Sequence, residues 1–210
     1  VRGVLGLSGR RAEAPIRLIN AALIACLDHE LNASTFCARV AASAGANLYA
    51  SLSAGLGALS GPRHGRACDR VEALVHEVQR PSLAKRVVEE RARLGEQLPG
   101  FGHPLYPRGD PRGTLLLQLA SRHGKGRSLS VLNALAAVMQ STGRPGPTLD
   151  AGLVGVSLAL GLPRGAAAGL FALGRAGGWV AHVLEQREQP ELLRPRARYV
   201  GAPKGPEARG

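Results

Sequence analysis

Apolar residues recur along most of this chain at intervals of three and four, the spacing that puts them on one face of an α-helix. Ile16, Ile19, Leu23 and Leu27 share such a face, and the run ends near Asp28-His29. Leu48, Leu52, Leu56 and Leu59 form a second stripe, stopped by Gly61-Pro62. Val71, Leu74, Val75 and Val78 form a third. Residues 82–97 predict a charged helix with acids and bases mixed, the composition of a solvated face. Further helices are expected at 111–123, 128–142, 150–161 and 165–188. Gly, Pro or basic residues mark the breaks at 61–66, 98–110, 124–127, 143–148 and 161–165. No segment sustains the apolar–polar alternation of a strand, and no repeat of solenoid period appears. The expected class is all-α. The Pro/Gly-rich tail 201–210 is expected to be disordered.

Composition sharpens this picture. The chain has 210 residues, 45% apolar but only 3% aromatic, so its core must be built from Ala, Leu and Val, which suit close helix packing. A net charge of +12 fits nucleic acid, a membrane surface or small anionic ligands, and equally a bias toward Ala, Gly, Arg and Pro. No nucleic-acid motif is present and the few aromatics offer no stacking platform, so nucleic acid is not expected as a partner. Asp150 and Arg175 lie in or beside the longest apolar stretches, so no membrane span is expected. Cys26, Cys37 and Cys68 form no CxxC and no His/Cys ligand spacing; no disulfide framework is expected, and a cytoplasmic setting is the default. The start VRGVLGLSGRR lacks the features of a signal peptide. Opening on Val1, the sequence is expected to be a piece of a longer protein or a processed product.

Several polar residues stand at unusual positions. His29 and Asn32 lie at a break in DHELNAST, and His64 follows Gly-Pro in GPRHGRA. His103 lies in GFGHPLY, where Gly100 and Gly102 let the backbone bend and Pro104 and Pro107 stop a helix. Asp150 precedes an apolar helix in PTLDAGL, and Arg112, Arg175 and Arg194 stand at turns or among glycines. Each has an ordinary explanation. Asp150 would be the N-cap of a helix over 151–161, His29 a cation at a helix C-terminus, Ser34 or Thr35 a cap, and the other histidines and arginines loop or surface residues. Together they also suit a site for a dianionic acid. Arginine forks grip carboxylates, histidines carry protons near neutral pH, and a carboxylate acts as base. Such a set abstracts a proton next to a carbonyl and protonates an acceptor. His76, His123 and His182 have no comparable setting. In FALGRAGGWVAHVLE, Gly174, Gly177 and Gly178 each cost a helix about 1 kcal/mol relative to Ala, so close approach of another helix or a ligand is expected there.

These residues fall, in order, in motifs that resemble the citrate synthase family: DHELNASTFCARVAAS, GALSGPRHGRA, LPGFGHPLYPRGDPR, PTLDAGL, ALGRAGGWVAHVLEQ and RPRARYVG. The resemblance runs from about residue 16 to about 201. It implies an all-α fold in which 68–163 form a small domain and 1–67 and 164–210 belong to a large one. It implies that Asp150 takes the α-proton of acetyl-CoA, His64 hydrogen-bonds the thioester oxygen and His103 polarises and protonates the carbonyl of oxaloacetate. His29, Arg112 and Arg175 would hold the oxaloacetate carboxylates, Arg194 would reach a neighbouring subunit's site, and Ser34, with Asn32 beside it, would support His64. A homodimer is implied, with the coenzyme A thioester as substrate, no cofactor and no metal, the enolate's charge being met by hydrogen bonds and cations. The chain is about half as long as a family member, the missing portion being N-terminal, so uncovered apolar faces and self-association are expected. Ala151-Gly152-Leu153 after the aspartate and Pro104-Leu105 after His103 depart from the family's commoner residues. Within the same chemistry stand 2-methylcitrate synthesis from propionyl-CoA and citryl-CoA cleavage. Outside it stands an inactive paralogue that binds CoA or oxaloacetate.

Overall fold

In a computed structural model, which describes residues 13–62, 64–198 and 200–201, every regular element is helical. The α-helices are α1 (Glu13–Leu27), α2 (Ala33–Ser43), α3 (Leu48–Leu59), α4 (Ala67–Val78), α5 (Ala84–Arg93), α6 (Pro111–His123), α7 (Arg127–Ser141), α8 (Leu149–Ala159) and α9 (Ala166–Arg187), with a 3-10 turn at Pro81–Leu83. Extended pairing among the described residues is confined to two isolated bridges, Phe101 with Pro147 and His103 with Tyr106. Residues 202–210, and with them nearly all of the tail expected to be disordered, lie outside the described residues.

Local chemistry explains several helix ends. Asn32 and Asn47 accept the backbone N–H three residues on and so cap α2 and α3. Asn32, rather than Ser34 or Thr35, is therefore the cap of α2. Both lie inside the helix, and the Asn32 side-chain oxygen takes Thr35 N–H at 2.9 Å. Asp110 caps α6, with Pro111 at its first position. The charged helix expected over 82–97 is shorter, because Gly95 turns the chain out at φ +71°.

The core uses the expected stripes in full on α4 and in part on α1 and α3, where Ile19 and Leu59 are buried and Leu23, Leu48 and Leu52 pack against it at its edge. On α4 the stripe Val71, Leu74, Val75 and Val78 is buried as expected. On α1 the buried face is Leu18, Ile19, Ala22 and Cys26, while Leu27 is exposed. On α3 it is Ser51, Gly55 and Leu59, while Leu56 is exposed. The small residues on these faces draw the core toward them because they admit a neighbour closely: a Cβ on Gly55 would lie 3.1 Å from the Trp179 ring of α9. The same holds for the glycines of α9. A Cβ on Gly174 would meet Cys26 Cβ at 2.6 Å and Leu23 O at 2.7 Å, so the close neighbour is the end of α1. Helix α8 is central. Leu149 and every residue from Ala151 to Ser157 are buried, and it packs on α6, α9, α4, α7 and α1. This packing brings the end of α1 and the starts of α4, α6 and α8 together.

Candidate active site

A cleft of about 420 Å³ opens where those four helix ends meet, and His29, His64, His103, Asp110 and Asp150 line it. The loop carrying His103 is pinned to the segment before α8. Gly102 N–H donates to Gly146 O (3.1 Å), Thr148 N–H to Gly100 O (2.8 Å) and Asp110 N–H to Pro147 O (3.0 Å). Gly100 and Gly102 sit at φ +82° and +80°, where side chains are strained, which is why this turn is written with glycine. His103 Nδ1 accepts the Leu105 N–H at 3.2 Å, so a neutral ring carries its hydrogen on Nε2.

His64 sits on the turn after Gly61-Pro62. Its Nε2 lies 2.8 Å from Ser34 Oγ, which lies 2.9 Å from Asn32 Oδ1, so Ser34 and Asn32 stand behind His64. Burial lowers the His64 pKa, partly countered by the nearby Asp150 charge.

Asp150 is the second residue of α8, and the cap position belongs to Thr148; the N-cap reading of Asp150 is thus corrected. Its carboxylate is held inside the site instead. Oδ1 accepts from Cys68 Sγ (3.4 Å) and Oδ2 from Thr148 Oγ1 (3.4 Å). It keeps a little surface in the cleft, and burial raises its pKa.

His29 packs edge-on against Phe171, ring centroids 5.3 Å apart, and 6.4 Å from His103. Burial, then the charges of Arg112 and Arg175, lower its pKa to about 4. It is therefore neutral at pH 7 and is not the cation at the end of α1. The arginines take that part. Arg112 Nη1 donates to Asp28 O (2.6 Å) and Ala25 O (3.5 Å), and Arg175 donates to Leu27 O and to Thr35 Oγ1 (2.7 Å). They satisfy carbonyls that a helix end leaves open.

Arg112 lies in the first turn of α6 and grips the carboxylate of Asp110, Nε to Oδ1 at 3.0 Å and Nη2 to Oδ2 at 2.7 Å. Burial works to raise the Asp110 pKa, but the Arg112 hydrogen bonds outweigh it and the net shift is downward. Arg175 is fully buried, its pKa lowered by that burial, and its Nε has no partner. His29 Nδ1 is likewise buried without one. Arg194 lies exposed in the segment after α9 and is not brought to the cleft of its own chain.

The sequence pattern does not single out Asp110, Cys68 or Thr148. Asp110-Pro111 carries a signal, that of a capped helix start. Cys68 carries none, since its contact with Asp150 spans two helices. Across Pro145–Pro147 lies a second cavity of about 830 Å³, with Arg108, Arg122 and Arg144 on its walls. Among the described residues, no three His, Cys, Asp or Glu are grouped to hold a metal ion, and no helix is long and apolar enough to cross a membrane.

Residues 5–196 match the family model for the citrate synthase C-terminal domain. Citrate synthase 2 of Bacillus subtilis is 34% identical over 193 residues, covering 90% of this chain and 52% of that protein. The 2-methylcitrate synthase of Shewanella oneidensis is 32% identical over 189 residues, covering 88% and 50%. Among solved structures, citrate synthase from Thermotoga maritima superposes with a TM-score of 0.81 at 31% identity, covering 95% of this chain and 56% of that one. Citrate synthase from Thermoplasma acidophilum, in ternary complex with carboxymethyl coenzyme A and oxaloacetate, gives 0.77 at 32% identity (92% and 54%). Citryl-CoA lyase from Hydrogenobacter thermophilus gives 0.76 at 26% identity (92% and 79%). The chain spans about half the length of the curated relatives it matches.

Proposed function

The chain belongs to the citrate synthase family and has its all-α fold, and from that premise we propose that it condenses acetyl-CoA with oxaloacetate, releasing citrate and CoA. One observation supports this above the others: Asp150, His64, His103 and His29 line a single cleft. In this reading Asp150 takes the α-proton of the thioester, and burial, which strengthens its hold on a proton, suits it to be that base. His64 has Nε2 committed to Ser34, so Nδ1 is the atom left for the thioester oxygen. Ser34 Oγ donates to Asn32 Oδ1 in the structure, which leaves it an acceptor for Nε2–H; the step needs the Ser34 hydrogen turned to Nε2 instead, so that Nδ1 carries the ring hydrogen and donates a hydrogen bond to the developing enolate. The nucleophilic carbon attacks the keto carbon of oxaloacetate while His103 donates its Nε2 hydrogen to the keto oxygen. Water then adds to the thioester carbon of citryl-CoA, and CoA leaves as the thiol.

His29, Arg112 and Arg175 hold the acceptor's carboxylates. Neutral His29, on the cleft wall, contributes a hydrogen bond rather than charge, and the buried Arg175, whose Nε lacks a partner, must be uncovered to reach a carboxylate. The cavity walled by Arg108, Arg122 and Arg144 suits the phosphates of the CoA nucleotide. Residues 68–163 act as the small domain that closes on 1–67 and 164–210, and Arg194 serves the neighbouring site of a homodimer. Hydrogen bonds and cations meet the enolate's charge, so the reading invokes no metal and no resident cofactor.

Two relatives favour a second reading of the same site. The Shewanella 2-methylcitrate synthase is nearly as similar to this chain as the Bacillus citrate synthase, and the Hydrogenobacter lyase shares its fold. One extra methylene in a pocket changes discrimination by only about 1–3 kcal/mol, so a propionyl group is a close competitor. The test is thiol release from acetyl-CoA and from propionyl-CoA with oxaloacetate, and oxaloacetate release from citryl-CoA. Turnover is expected with acetyl-CoA, and Asp150→Asn is expected to lower it by about 10²–10⁴-fold with oxaloacetate binding retained. Binding without turnover in the unaltered chain would favour the inactive paralogue, and unchanged turnover in Asp150→Asn would remove Asp150 as the base.

A further inference from the structure

Asp150 sits at the start of α8 with no cation paired to it among the described residues, and Cys68 is the one side chain from another helix that hydrogen-bonds it. Cys68 is the second residue of α4, four residues after His64, and is 1% exposed. Its sulfur lies 3.4 Å from Asp150 Oδ1, an ordinary reach for a thiol because sulfur is large. The Thr148 hydroxyl, also 3.4 Å away, is long for an O–H donor. The thiol is thus the better fitted of the two. We propose that Cys68 is a positioning residue for the base: its S–H orients the Asp150 carboxylate relative to His64 while, as a weak donor, leaving that carboxylate able to take a proton. This rests on the reading of Asp150 as the base.

The chemistry favours a thiol here. Two or three strong donors would stabilise the carboxylate and blunt it as a base. With no donor, a buried carboxylate would be poorly oriented and unsatisfied. A thiol is the weakest donor among the common polar side chains, so it supplies direction at little cost in basicity. Burial, then the Asp150 charge, push the Cys68 pKa well up, so the sulfur keeps its hydrogen and remains a donor at neutral pH. Because α4 starts next to the His64 turn, the same short segment carries the enolate-facing histidine and the support of the base. Arg70 of α4, His64 and Cys26 of α1 are the other charged or titratable groups near Asp150. Cys26, pushed up to about 12 mainly by burial, stays neutral throughout the working range.

The test compares Cys68→Ala and Cys68→Ser with the unaltered chain. Removing the donor in Cys68→Ala is expected to lower kcat about tenfold, with KM for both substrates changed less than about twofold. It is also expected to move the acid limb of kcat/KM up by a few tenths of a pH unit, because the carboxylate loses a weak bond that favours its charged form. Cys68→Ser keeps a donor and is expected to hold the limb at or below its original position. A role in packing alone would alter Tm and leave the limb in place; that result overturns the proposal. A second readout does not depend on turnover. The Cys68 S–H stretch, isolated as the infrared difference between the unaltered chain and Cys68→Ala, is expected to rise in frequency in Asp150→Asn. A band indifferent to that substitution also overturns it. An Asp150→Asn chain that turns over normally would instead sink the reading of Asp150 as the base.

Discussion

His29 holds a neutral ring beside two guanidinium groups, and that has a thermodynamic consequence. Its pKa is about 4 in the folded chain against 6.5 for the free side chain. Between those values the unfolded chain binds the extra proton, so stability is lost as pH falls from about 6.5 toward 4, by up to about 3 kcal/mol. Urea unfolding at a series of pH values would read this slope, and His29→Gln is expected to flatten it. At this scale much is legible in the sequence. Three histidines on turns and one aspartate before an apolar helix are visible there, and all four line one cleft. The cap of α8 is not, because Thr148 and Asp150 are both capping residues two positions apart, and the apolar pattern does not fix a helix start that finely. That Arg112 and Arg175 cap α1 is not legible either, since it joins residues 84 or more positions apart.

Between elements, the glycines of α9 permit a contact that any side chain would obstruct. Gly174→Ala would drive a methyl against Leu23 O and Cys26 Cβ on α1. It is expected to cost about 1–3 kcal/mol and lower Tm by several degrees. Gly169, on the same helix, faces open space where a methyl would sit. Gly169→Ala should therefore gain up to about 1 kcal/mol from helix propensity, and opposite signs in calorimetry would separate packing from propensity. Helix existence is readable from spacing, whereas the buried side of α1 and α3 is readable only in part. A search for large apolar stripes finds Ile19 and Leu59 but passes over Ala22, Cys26, Ser51 and Gly55, the small residues through which the close packing is made.

Over the whole molecule, large apolar side chains remain at the surface: Ile24 of α1 is 57% exposed, Leu173 of α9 70% and Tyr49 of α3 81%. Sedimentation velocity is expected to show concentration-dependent self-association that persists in high salt, since apolar contacts are not screened as charges are. A monomer at all concentrations would contradict this. The all-α class follows from pattern and composition, but the gathering of four helix ends around one cleft does not. It follows only from the order of the motifs and the resemblance they carry. In the proposed reaction Asp150 removes a proton from the α-carbon of a thioester bound beside His64 and His103. The most direct test of this step is deuterium entry from D₂O into the acetyl group of acetyl-CoA, followed by mass spectrometry with a dicarboxylate analogue of oxaloacetate that lacks the keto group. The account predicts exchange in the unaltered chain and a loss of about 10²–10⁴-fold in Asp150→Asn. Equal exchange in both, or none in a chain that binds both ligands, would contradict it.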